Sequence, residues 1–184
     1  MRPTEILKEE HMAIKLMLKI AENVCQRLER GEAVPPKHLA DIVTFIRGFA
    51  DKCHHAKEEG LLFPAMEKAG VPRQGGPIGV MLAEHEQGRD YVKNMTDAVE
   101  KYRPGNQGAA LQFVENARNY IALLSQHIDK EDNILYEIAD KRLSEVAQEE
   151  LRRGFERVEQ EEMGPGKHEE FHKILELLKK IYYG

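Results

Sequence analysis

The chain has 184 residues, 41% hydrophobic and 32% charged, and its 27 basic and 32 acidic side chains leave a formal net charge of −5. That length suits one domain able to bury its own core, and the acidic balance argues against general nucleic-acid binding, which needs a basic face. No apolar run approaches the ~18 residues of a membrane span; the opening MRPTEILKEEH lacks the apolar stretch of a secretory signal, and two cysteines without a CxxC pair suit a reducing, cytoplasmic setting.

Helical periodicity runs through nearly the whole sequence, and no stretch alternates apolar and polar residues between hairpin turns. A first helix is expected from about Thr4, as N-cap behind Pro3, to Arg30, ended by Gly31. A second starts near Pro35-Pro36 and continues to Ala69, ahead of the loop Gly70–Pro77. A third runs from about Ile78 to Tyr102 and stops at Arg103-Pro104-Gly105-Asn106; a fourth covers about Ala109 to Ala139. These four are long, ~20–30 residues or ~30–45 Å at 1.5 Å per residue. Long helices with short connections favour an up-down-up-down four-helix bundle. A further helix is N-capped by Ser144 and reaches Met163; after Gly164-Pro165-Gly166 a last helix takes His168 to Tyr183. The expected architecture is all-α, a bundle over residues 1–140 with a C-terminal helical extension over 141–184 packing on or near it.

Eight histidines stand beside no tryptophan, and four of them belong to an internal repeat. Residues 54–63 read HHAKEEGLLF and residues 127–136 read HIDKEDNILY, so His54 and His127 are 73 residues apart. Upstream of each lies a Glu-His pair, Glu10-His11 and Glu84-His85, whose histidines are 74 apart. Each half therefore contributes one histidine and then a His-x-x-x-Glu couple.

On a helix, positions i and i+4 share a face, so His54 goes with Glu58 and His127 with Glu131. Those faces are otherwise apolar: Val43, Ala50, Leu61 and Ala65 accompany His54, while Phe113, Tyr120, Leu123, Ile134 and Ile138 accompany His127. His11 falls in the stripe of Leu7, Ile14, Leu18 and Ala21, and His85 among Ile78, Met81, Val92 and Val99. Measured from the helix ends, all six groups fall at one level of an antiparallel bundle. Four imidazoles and two carboxylates in a core are costly without compensation, which metal ions supply. Imidazole and carboxylate without thiolate suit iron, manganese or zinc, and six ligands exceed the needs of one tetrahedral zinc. They suit two ions bridged by the two carboxylates.

The ordered pattern EEH, HHAKEEGLLFP, EHEQGR, HIDKEDNILY resembles the hemerythrin-like (HHE cation-binding) family over about residues 4–140. The resemblance implies a non-haem centre of two iron ions held by His11, His54, Glu58, His85, His127 and Glu131, with Glu58 and Glu131 bridging. It implies a partner that is O2 or a related small oxidant, nitric oxide or peroxide, and a role in binding or sensing it. Two departures stand out. The O2 carriers of the family place a second histidine four residues after the third-helix one, where this chain has Arg89. They also take their last carboxylate from an aspartate five residues after the fourth-helix histidine. Asp132 has that spacing and Glu131 the four-residue spacing, which the repeat with Glu58 favours.

Other features admit plainer readings. His55 and Glu59, one step round from the ligand pair, read as solvated or as supports for the ligands. Arg89 is either a partner of a nearby carboxylate or a snorkelling edge residue. Tyr120, on the His127 face, reads as core. Residues 168–172, HEEFH, match the H-E-x-x-H zincin pattern only formally; His168 and His172 are alternatively an extra metal contact or part of a surface helix. Two functional rivals remain at this level. A di-iron oxidase or peroxidase would use the same centre for turnover, although the Glu-x-x-His motif of ferritin-like bundles is absent. An iron-storage or metal-responsive protein would use the extension to dock a partner.

Overall fold

The computed structural model describes residues 1–183. Helix α1 is Pro3–Glu29. Helix α2, residues 36–68, is one continuous rod in which α-helical Pro36–Phe45 and Phe63–Lys68 flank wider π-helical turns at Ile46–His55 and Glu58–Leu62. Helix α3 is Pro77–Lys101. Helix α4, residues 107–142, likewise carries a π-helical turn, Glu131–Leu135, between Gln107–Lys130 and Tyr136–Arg142. Helix α5 covers residues 145–162 and α6 is Lys167–Tyr182. Among the described residues there is no strand.

Local chemistry explains the ends. Pro3 takes the first turn of α1, so the helix starts ahead of Thr4, whose hydroxyl donates instead to Asp140 at 2.8 Å. Gly31 follows α1 with φ 77°, a left-handed conformation that favours glycine. Asn106 and Ser144 cap α4 and α5, each side-chain oxygen accepting from the backbone N–H three residues on.

Helices α1 to α4 close into a four-helix bundle, with α4 packed against both α1 and α3, and α2 between α1 and α3. Its core is divided. One apolar cluster takes in Ile14, Phe45, Met95 and Phe113; another takes in Leu7, Phe63, Met81 and Tyr136. Between them, on all four helices, lie the buried polar positions 11, 54, 58, 85, 127 and 131.

The π-helical turns correct the register expected from a uniform helical repeat. Leu62, Phe63 and Met66 are buried where Leu61 and Ala65 were expected, and Leu135 and Tyr136 where Ile134 was; Ile134 is 53% exposed. A π turn holds more residues than an α turn, so every side chain beyond it shifts round the helix. The shift occurs after Glu58 and after Glu131, at matching points of the repeat.

Helices α5 and α6 both lie against α1 and α2. Two glycines let them approach. A Cβ on Gly48 of α2 would stand 2.2 Å from the ring of Phe171 on α6, and one on Gly154 of α5 would stand 2.9 Å from Leu61. No described helix is long and apolar enough to cross a membrane.

Candidate metal centre

All six sequence-expected groups meet in one layer. His11, His54, His85, His127, Glu58 and Glu131 are each at most 2% exposed. The i, i+4 couples close as the helix geometry requires: His54 Nε2 lies 3.5 Å from Glu58 Oε1, and His127 Nε2 lies 3.0 Å from Glu131 Oε1. Each carboxylate also reaches the other half of the repeat. Glu58 Oε1 is 3.5 Å from His85 Nε2, and Glu131 Oε1 is 3.3 Å from His11 Nε2. Glu131, not Asp132, enters the layer.

A carboxylate sits on the Nδ1 side of every one of these imidazoles. Glu10 is 2.9 Å from His54 Nδ1, Glu84 2.9 Å from His127 Nδ1, Glu59 2.7 Å from His85 Nδ1, and Asp132 2.7 Å from His11 Nδ1. An imidazole whose Nδ1–H donates to a carboxylate turns its Nε2 lone pair the other way, here into the layer. Cations stand behind the carboxylates. Lys57 donates to Glu10 at 2.5 Å, Lys130 pairs with Glu84, Arg89 donates to Glu59 at 2.6 Å, and Lys15 lies 3.9 Å from Asp132.

Of this outer shell the sequence offers Glu59 as a support and Arg89 as a carboxylate partner; the roles of Glu10, Glu84, Lys57 and Lys130 emerge only from the structure, although their signal is present in the repeat. Lys57 with Lys130, Glu59 with Asp132, and Phe63 with Tyr136 recur at the 73-residue offset, and Glu10 with Glu84 at 74. The two halves exchange one support: Asp132 of the second half holds His11 of the first, and Glu59 of the first holds His85 of the second. Tyr136, rather than Tyr120, is the tyrosine at the layer. It donates to Glu58 Oε2 at 2.8 Å and its ring stacks on His11. Its repeat counterpart Phe63 stacks on His85 without a hydroxyl.

For several other residues the structure decides between the readings that the sequence offers. His55 is buried and stacks on His85 with ring centroids 3.8 Å apart. Arg89 is no free edge residue; it binds Asp51 and Glu59 together. His168 and His172 stay outside the layer, their Nε2 atoms 2.9 Å apart, with His168 Nδ1 facing Glu159 at 3.4 Å. Through Glu159 the extension does touch the outer shell, since this carboxylate accepts from Lys57 at 2.6 Å. A cavity of about 330 Å³ opens beside α2, α3 and α4 and is lined by His55, Arg89, Val92, Tyr120, Leu124 and His127.

The layer fits cations. His54 Nε2, Glu58 Oε1 and both carboxylate oxygens of Glu131 are buried with no hydrogen-bond partner. Unpaired buried polar groups are rare because each costs ~1–3 kcal/mol or more. Donor atoms gather in two groups within 4.8 Å, one of His11, His54 and Glu131, the other of His55, Glu58, His85 and His127. With protons as the only cations, burial drives the Glu58 carboxyl well above its usual range, and the adjacent Glu131 adds to this. Glu131 is held ionised because the Glu58 carboxyl and the His127 and His11 imidazoles outweigh its burial. Burial lowers His54, whereas carboxylates on His11 and His127 outweigh burial and raise both. Metal ions would release these protons and satisfy the donors together.

Comparison with known proteins agrees with this chemistry. The family model "Hemerythrin HHE cation binding domain" matches residues 2–139. An uncharacterized protein of Mycobacterium bovis is 25% identical over 160 residues, which cover 87% of this chain and 62% of that protein. Proteins named iron-sulfur cluster repair protein YtfE are 32% identical over 124 residues in Dickeya chrysanthemi and 34% over 125 in Musicola paradisiaca, covering 65% of this chain and 54% of each. The chain thus spans 54–62% of the length of these curated relatives. No solved structure matches. The layer of imidazoles and carboxylates and the family match over three quarters of the chain lead to one conclusion: this chain belongs to the hemerythrin HHE cation-binding domain family.

Proposed function

We propose that the bundle holds two iron ions between His11, His54, Glu58, His85, His127 and Glu131, and that the loaded centre binds or senses O2 or a related small oxidant. The buried atoms of Glu58, Glu131 and His54 that have no hydrogen-bond partner carry this reading. Manganese or zinc would suit the same donors less specifically. Bound iron would supply positions at which a small oxidant is held and electrons with which it is reduced.

The chain's own residues have separable tasks. Glu10, Glu59, Glu84 and Asp132 fix the imidazole tautomers and aim each Nε2 inward. Glu58 and Glu131 contact imidazoles of both halves, as carboxylates shared between two ions would. Tyr136 holds one oxygen of Glu58 and so fixes the carboxylate plane. The apolar clusters on either side keep bulk water out, while the cavity beside His55, His85 and His127 offers a path for a small molecule. Residues 1–140 form the unit that holds the ions, and the described part of the extension, 141–183, braces one half of its outer shell through Glu159.

A second reading comes from relatives named for iron–sulfur cluster repair, which match the bundle at 32–34% identity. In that reading the bundle handles iron for a cluster held elsewhere, because Cys25 and Cys53 are both fully buried. Stopped-flow mixing of the anaerobic, iron-loaded, reduced protein with O2, nitric oxide and peroxide separates the readings. A long-lived spectral change saturating near one equivalent per chain supports binding or sensing. Sustained consumption of peroxide indicates an oxidase or peroxidase, and no reaction with any of the three contradicts both.

A further inference from the structure

We infer that His55 is a seventh protein ligand of the centre, a fifth imidazole supplied from α2 where α3 offers only Arg89; this rests on the two-ion reading above. Its ring is buried among the ligands, 3.8 Å from that of His85 with an interplanar angle of 18°, and 6.0 Å from that of His127. One donor atom of His55 lies within 4.8 Å of donors from Glu58, His85 and His127.

The second observation is its support. Asp51 stands on the Nδ1 side of His55 at 3.2 Å, and Arg89 donates to Asp51 at 3.0 Å. That is the same order of imidazole, carboxylate and cation that backs the other four histidines: His54–Glu10–Lys57, His127–Glu84–Lys130, His85–Glu59–Arg89 and His11–Asp132–Lys15. A buried histidine with a merely structural role needs no such order. With Nδ1–H committed to Asp51, its Nε2 carries a free lone pair. The arrangement also explains Arg89. Placed four residues after His85, its guanidinium holds Asp51 and Glu59 at once, and so fixes His55 and His85 together.

One feature of the fold brings His55 inward. The π-helical turn Ile46–His55 spreads the face of α2 enough for Cys53, His54 and His55 all to be buried. The donors then gather in two groups, His55, His85, His127 and Glu58 in one and His11, His54 and Glu131 in the other.

The test is proton NMR of the full chain loaded anaerobically with Co2+, with bound cobalt measured in the same sample. Each coordinated imidazole with a protonated Nδ1 gives one strongly shifted, exchangeable resonance. Five such resonances at two cobalt ions per chain are expected. His55→Gln should lose one of them, keep its far-ultraviolet circular dichroism, and bind one of its two ions at least about tenfold more weakly. Four resonances in the wild type at two ions per chain would overturn the assignment while leaving the two-ion reading intact. So would a folded His55→Gln that binds both ions with unchanged affinity. A wild type that takes up neither Co2+ nor Fe2+ would overturn both; the wild-type count stands even if the variant does not fold.

Discussion

The Nε2 atoms of His85 and His127 face each other at 3.1 Å, while Glu59 and Glu84 occupy the opposite nitrogens of the same rings. Two imidazoles so arranged present lone pair to lone pair unless a cation stands between or beside them. The same holds for His127 Nε2 against Glu131 Oε1 at 3.0 Å. The second shell therefore sets the chemistry of the first: by fixing Nδ1 as the donor, it leaves the interior rich in acceptors.

Metal removal should destabilise the fold. An ion present at one hundred times its dissociation constant adds about 2.7 kcal/mol per site, or roughly 5–10 °C in Tm for a chain of this size. Calorimetry of iron-loaded and chelator-treated protein checks this. Equal melting temperatures would show that the layer is satisfied without ions.

The repeat supplies a matched pair of lysines in different surroundings. Lys57 is 1% exposed and serves both Glu10 and Glu159; Lys130 is 39% exposed and serves Glu84. Lys57→Met would leave the buried Glu10 carboxylate without its lysine, at a cost of about 3–5 kcal/mol. Lys130→Met should cost less than about 1 kcal/mol. Urea denaturation of the chelator-treated variants measures both, and equal losses would argue against a bracing role for the extension.

Tyr136→Phe tests the asymmetry between the halves, since Phe63 already fills the matching place without a hydroxyl. Losing the donor to Glu58 Oε2 should cost about 1–3 kcal/mol in the metal-free protein. The optical spectrum of the iron-loaded protein should shift, with iron content retained. An unchanged spectrum would remove Tyr136 from the centre.

Docking of the extension should depend on pH through Glu159 and His168. The His168 imidazole on its carboxylate, with Lys57 and Cys53, holds Glu159 down at about 2 against burial. Its contribution is therefore complete above the ordinary carboxylate range and is lost as pH falls toward 2. Glu159 in turn raises His168, so the contribution of the imidazolium is complete below its ordinary value near 6.5 and is lost at higher pH. The Tm difference between wild type and His168→Gln should be largest at about pH 4.5–6.5. A difference that grew above pH 8 would contradict the pairing.

Much of this was legible in the sequence, because helix ends and i, i+4 couples follow local rules. The glycine and proline breaks put the helix ends within a few residues, and the repeat of His54/Glu58 with His127/Glu131 put six groups in one layer. What stayed hidden depends on departures from a uniform helix and on partners distant in sequence. His55 sits one residue from His54, and an ideal helix would turn it aside; the π-helical turn brings it in. Lys57 lies in a charged run, and its partners Glu10 and Glu159 are distant in sequence; Glu59, legible as a support, meets Arg89 only in the fold. Tyr136 was visible only as the aromatic that ends each half of the repeat.

Elemental analysis of the full chain after anaerobic loading with Fe2+ and desalting bears most directly on the metal centre. About two irons per chain are expected, as two bridged ions require, falling in His54→Ala and in Glu131→Ala. A folded wild-type protein that retains no iron would contradict it.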